Sequence, residues 1–144
     1  MKTFNLKMLA ILLLTGCATP TYQLAKDCST PFIAGELIRD GGQGNRLVLV
    51  APNRRYEARG FVVDRHTNLT ELRKRYYSAS PKHWEQIFAG LDTNHVTYSI
   101  ETIAISSEGD QVSCNLAWGR NAKPSGVCWD QVGKATPVRF EITQ

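Results

Sequence analysis

The reactive side chains available to this 144-residue chain include four cysteines (Cys17, Cys28, Cys114 and Cys128) and three histidines (His66, His83 and His95). The histidines lack metal-ligand spacing and have no Cys or carboxylate in register, so no metal site is expected. The run GGQG at 41–44 has the glycines of a phosphate loop. Such a loop leads into a helix N-terminus and carries a lysine that reaches the phosphates. Here a β-rich segment follows and no Gly-Lys-Ser/Thr occurs, so a hairpin turn is the better reading. Ser80 and His83 could be drawn as nucleophile and base. Ser80-Pro81, however, reads as a helix N-cap followed by proline at the first helical position. No G-x-S-x-G is present. Glu57, Asp64, Glu101 and Glu108 fall on strand-like segments, where solvated faces explain them. The chain is therefore read as a non-enzyme, with no catalytic residues, no metal and no cofactor.

Two features could serve binding. Arg73, Lys74, Arg75 and Tyr76, in RKRYY at 73–77, combine three positive charges with tyrosine. They could meet lipid A phosphates, anionic headgroups or an acidic protein. The plainer explanation is a solvated helix face with one tyrosine turned into the core. Trp118 and Trp129 flank a C-terminal turn. Exposed, they would stack on glycan rings or anchor a protein interface; as alternate strand residues they would be core. No basic cluster sits on a nucleic-acid motif, so a nucleic-acid partner is not expected.

These residues must be positioned by short elements. Residues 31–40 and 45–51 read as a hairpin around GGQG, and 55–64 as a third strand. Asn68 with Glu71 can form a capping box ahead of LTELRKRYY, the first helix. In the second helix Trp84, Ile87, Phe88 and Leu91 fall at i, i+3, i+4 and i+7, building one apolar face, and Gly90 is a plausible stop. The β pattern returns at 95–106, where a phase shift between Ile100 and Ile103 suggests a bulge. Segments 111–118, VCWDQV and 136–143 complete the chain. The expected fold is a single α+β domain: a curled or barrel-like antiparallel sheet of about six or seven strands with a central pair of helices.

The N-terminus carries its own signal. Lys2 and Lys7 precede a seven-residue apolar run at 8–14, far short of the roughly 20 residues a membrane span needs. The order of charge, short apolar run and small residues is that of a signal peptide. Leu14-Thr15-Gly16-Cys17 resembles the lipobox of bacterial lipoproteins. The resemblance covers the first 17 residues. It implies removal of 1–16, lipid on Cys17 and a membrane attachment through that lipid. Ala18 stands where Asp would signal inner-membrane retention, so the family rule points to the outer membrane of a bacterial cell envelope. Removal of 1–16 takes away Lys2 and Lys7, and the net charge falls from +4 to +2. Residues 17–31, with two prolines and several Thr/Ser, read as the lipidated end and a flexible tether; 32–144 form the domain.

An oxidising compartment makes a disulfide expected among the three remaining cysteines. Cys114 and Cys128 lie on consecutive strands, about equally far from the Gly/Pro turn, and make the best pair. Cys28 could instead pair with either. The hairpin around SGVCWD also resembles one found in small proteobacterial lipoproteins, a likeness that implies no activity. The function expected is a lipid-anchored envelope module that binds a protein, glycan or lipopolysaccharide partner. The alternative is a protective lipoprotein (toxin immunity or phage superinfection exclusion), and a third reading is a hydrolase with an unrecognised site.

Overall fold

The computed structural model describes residues 19–26, 31–67, 69–77, 80–89, 96–120 and 122–143. Residues 1–18, Cys28, Asn68, Gly90, Leu91 and His95 lie outside the described residues, as do the signal peptide, lipid site and capping-box expectations that fall on them. The first half of the chain forms β1 Thr21–Leu24, β2 Ala34–Ile38, β3 Arg46–Ala51, β4 Arg54–Arg59 and β5 Asp64–His66. Helices α1 Leu69–Tyr77 and α2 Pro81–Ala89 follow. The chain closes with β6 Thr97–Ser106, β7 Gln111–Gly119, β8 Ser125–Trp129 and β9 Ala135–Ile142.

Every strand pairing is antiparallel, and the strands follow one another around a ring. The ring closes where Tyr56 and Glu57 of β4 meet Ser106 and Ile105 of β6. Short β5 pairs with the opposite end of β6, through Asp64↔Ser99 to His66↔Thr97. The fold is thus α+β with a barrel-like sheet, and eight strands form the barrel. The expectation of six or seven is corrected by β1. Those four residues lie within a Pro/Thr-rich stretch and are too short to show a period. They nevertheless pair on both sides, with β2 and β9, which leaves the barrel no open edge there. Residues 19–26, part of the 17–31 expected as a flexible tether, are instead held to the barrel for the same reason. Pro20 O accepts from Arg39 N–H, Thr19 Oγ1 donates to Asp40, and Tyr22 is buried.

A ring of eight strands is just wide enough for its own side chains to fill. Leu37, Leu47, Leu49, Ile100, Leu116, Val138 and Phe140 do so, with Cys114 and Cys128 among them. The two cysteines are directly opposed on β7 and β8 and form a disulfide, their Cα atoms 4.1 Å apart. Gly126 lets β8 approach β7, because a Cβ there would stand 1.9 Å from Asn115 O. The bulge expected in β6 is absent. Its ladder with β7 runs unbroken from Thr97↔Gly119 to Ile105↔Gln111. Ile100 and Ala104 are buried in the barrel core, while Ile103 and Ile105 stand exposed. The shift in phase is a change of apolar face.

The helices pack outside the barrel. Leu72 and Tyr76 of α1 and Trp84 and Phe88 of α2 cover Ala117 of β7 and Val127 of β8. The i, i+4 spacing of Trp84 and Phe88 puts both rings on one face of α2, 5.3 Å apart.

Candidate functional site

A groove of about 600 Å³ lies on the flank of the barrel, between α2 and the strands β8, β9 and β1. Its volume falls within the range of small-molecule sites. Pro81 starts α2 and sets Lys82, His83, Gln86 and Ile87 along one side. Opposite lie Ser125, Pro137 and Arg139, and Leu24 and Ala25 close the end where β1 stops. Lys82, Gln86 and Arg139 are exposed, while Leu24, Ile87 and Pro137 are half-buried. Among the described residues, no acidic side chain lines the groove and neither Lys82 nor Arg139 has an ion-pair partner. The first turn of α2 holds no acid, although that end of a helix favours negative charge. The arrangement is cationic around an apolar floor.

Two smaller concavities sit at the barrel mouths. One, of about 300 Å³, is lined by Pro20, Arg39, Gly41, Gly42, Asn45, Val62 and Val63. The GGQG run lies here as the turn between β2 and β3, with Gly41 and Gly42 at φ 72° and 51°, a region glycine adopts without steric cost. Buried Asn45 fixes the turn: its Oδ1 accepts from Asp40 N–H at 3.0 Å and its Nδ2 donates to Phe61 O at 2.8 Å. The other mouth, of about 200 Å³, is bordered by Phe32, Tyr56, Val112 and Cys128.

The binding surface expected from the sequence is broken up by the fold. Trp118 is 1% exposed, a member of the barrel core. It stacks on Tyr98 at 5.8 Å, and the Arg39 guanidinium lies 4.9 Å and 5.0 Å from the Tyr98 and Trp118 ring centres. This contact holds the mouth loop and leaves the indole no glycan-stacking face. Trp129 is half-buried against the helix layer. Tyr76 is 1% exposed and 4.5 Å from Trp84, so it belongs to the core, and burial pushes its phenol well above the ordinary range. Arg73, Lys74 and Arg75 are exposed on α1. Arg75 pairs with Glu101 at 2.7 Å, and Arg73 lies 5.9 Å from the Phe88 ring centre. The basic run is a helix face partly engaged by the protein itself.

One pair escaped the sequence reading. His66 Nε2 lies 2.8 Å from Ser99 Oγ, the spacing of a base and a nucleophile. The two are 33 residues apart and meet only because β5 pairs with β6. Ser99 is 3% exposed, which leaves no room for a substrate carbon at Oγ, so the bond ties β5 to the barrel. Ser80 takes the place expected of a cap: its carbonyl accepts from Trp84 N–H at 3.1 Å. His83 faces the flank groove.

Glu57 shows how charge is managed on the barrel's outer wall. Burial alone would raise its pKa, but Arg59 and Arg55 on the same strand hold the carboxyl below its usual range. Glu36 similarly accepts from Arg46 at 2.8 Å. These pairs occupy the cations on β3 and β4, whereas those of the flank groove face solvent. No family model, no curated protein and no solved structure matches this chain.

Proposed function

We propose that this protein is a lipid-anchored component of the bacterial cell envelope that works as a binding module. The observation that carries the binding part is the contrast between a filled barrel and an open flank. Core side chains and the disulfide occupy the interior, so a ligand must be met outside, where the groove of about 600 Å³ offers a concavity of small-molecule size.

The lipobox-like Leu14-Thr15-Gly16-Cys17 supports the anchor. The chain enters β1 at Thr21, four residues beyond Cys17. At about 3.5 Å per extended residue, lipid on Cys17 would hold the Thr21 end of the barrel within about 14 Å of its attachment. The module then stands directly on the membrane, with the mouth formed by 39–45 and 62–63 nearest to it. Metabolic labelling with a radiolabelled fatty acid tests the anchor. Wild type should incorporate label and Cys17→Ser should not, because only the thiol can take the lipid. Equal labelling of both would overturn the reading.

A further inference from the structure

We infer that the flank groove is a site for a small amphiphilic anion: one phosphate or carboxylate carried on a short apolar body. The inference deepens the binding-module reading and rests on it. Lys82, His83 and Arg139 converge on the groove from α2 and β9, two elements distant in sequence. Bringing Lys82 and Arg139 together with no acidic residue among the described groove residues works against the fold, since like charges repel and Lys82 sits at the positive end of α2. An anion placed between Lys82 and Arg139 removes that repulsion and gains charge-assisted hydrogen bonds.

Below this rim the surface changes character. Leu24, Ile87 and Pro137 present half-buried apolar atoms, which favour an alkyl or ring portion over bare inorganic anion. The polar rim fixes orientation, and the apolar floor supplies the area. Neither alone distinguishes this ligand class; together they do.

The test uses the chain beginning at Ala18, which retains every described strand and helix. Octyl phosphate, inorganic phosphate and 1-octanol are titrated separately by calorimetry, with amide NMR shifts mapping the site. Octyl phosphate should bind at least about tenfold tighter than either half of it, a difference readily resolved in Kd. Shifts should concentrate at 82–87, 125 and 137–139. Arg139→Gln and Lys82→Gln should each weaken binding about tenfold. Both side chains are exposed, so the melting temperature should hold and serves as the folding control. Competition by phosphatidylglycerol vesicles would identify the source as a bilayer lipid; no competition would identify a free amphiphile. Equal affinities for octyl phosphate and octanol, unchanged binding by the two variants, or shifts confined to the 41–45 mouth would overturn the assignment. Fatty-acid labelling of Cys17 is a separate measurement. Its failure would remove the anchor without altering this result.

Discussion

Inside the barrel, Leu116, Phe140 and the Cys114–Cys128 bridge bury carbon and sulfur against one another, and no buried side-chain nitrogen or oxygen there lacks a partner among the described residues. Beneath the helices Trp84 and Tyr76 are buried as completely, at 0% and 1% exposed, yet the Trp84 Nε1 and Tyr76 Oη atoms have no hydrogen-bond partner among the described residues. The Tyr76 hydroxyl lies beside Ser99 and Glu101 without good hydrogen-bond geometry to either. Leaving such a group unsatisfied costs about 1–3 kcal/mol. The barrel interior is thus fully satisfied, with Arg46 Nε and Glu57 Oε1, which also lack a hydrogen-bond partner among the described residues, lying on the outer wall. The helix layer is expected to open more easily than the barrel. That layer also forms one wall of the flank groove, where local adaptation to a ligand would take place.

The comparison can be broken first at equivalent aromatic residues. Phe140→Ala should destabilise the whole domain by about 3–5 kcal/mol, because the closed barrel cannot collapse around the lost ring. Phe88→Ala should cost less and act locally. Helical far-UV signal should be lost at a lower temperature than the near-UV signal of Trp118. Coincident transitions of equal depression in both variants would show the two regions to be one cooperative unit.

Removing the bridge tests the scaffold side. The double change Cys114→Ala and Cys128→Ala should lower stability by about 3 kcal/mol, from the entropy regained by a loop of this length in the unfolded chain. Denaturant midpoints of the two proteins measure it. Non-reducing peptide mapping should recover Cys114 joined to Cys128 as the main species.

The smallest effect belongs to the helix layer. Tyr76→Phe removes a hydroxyl without a partner among the described residues and should raise stability, by about 1 kcal/mol. A loss of 2 kcal/mol or more would mean that the hydroxyl is bonded in solution, and the contrast between the two regions would narrow.

Much of this was legible in the sequence. The second helix could be read because Ser80-Pro81 marks its start and Trp84, Ile87 and Phe88 keep one face. The first matched its segment, 69–77. The disulfide was readable because Cys114 and Cys128 are spaced symmetrically about their turn. The misses have physical causes. β1 is four residues long, and its stability comes from pairing with β2 and β9, which no local pattern records. β5 was merged into the strand before it, although Gly60 at φ 68° separates the two. Trp118 and Tyr76 carry the chemistry of binding residues, and only the strand and helix faces they occupy send them inward. The flank groove was invisible for the same reason that His66 and Ser99 were. Lys82 and Arg139 lie 57 positions apart, and the packing of α2 on the barrel brings them together.

Native-state hydrogen exchange of the chain from Ala18 tests the division between scaffold and helix layer most directly. Amides of Leu116 and Val127, within the β7–β8 ladder, should exchange only through global unfolding. Those of Ile87 and Phe88 should exchange through a smaller opening, with a free energy at least about 1–2 kcal/mol lower. Exchange of the α2 amides at the same free energy as β7 would contradict the account.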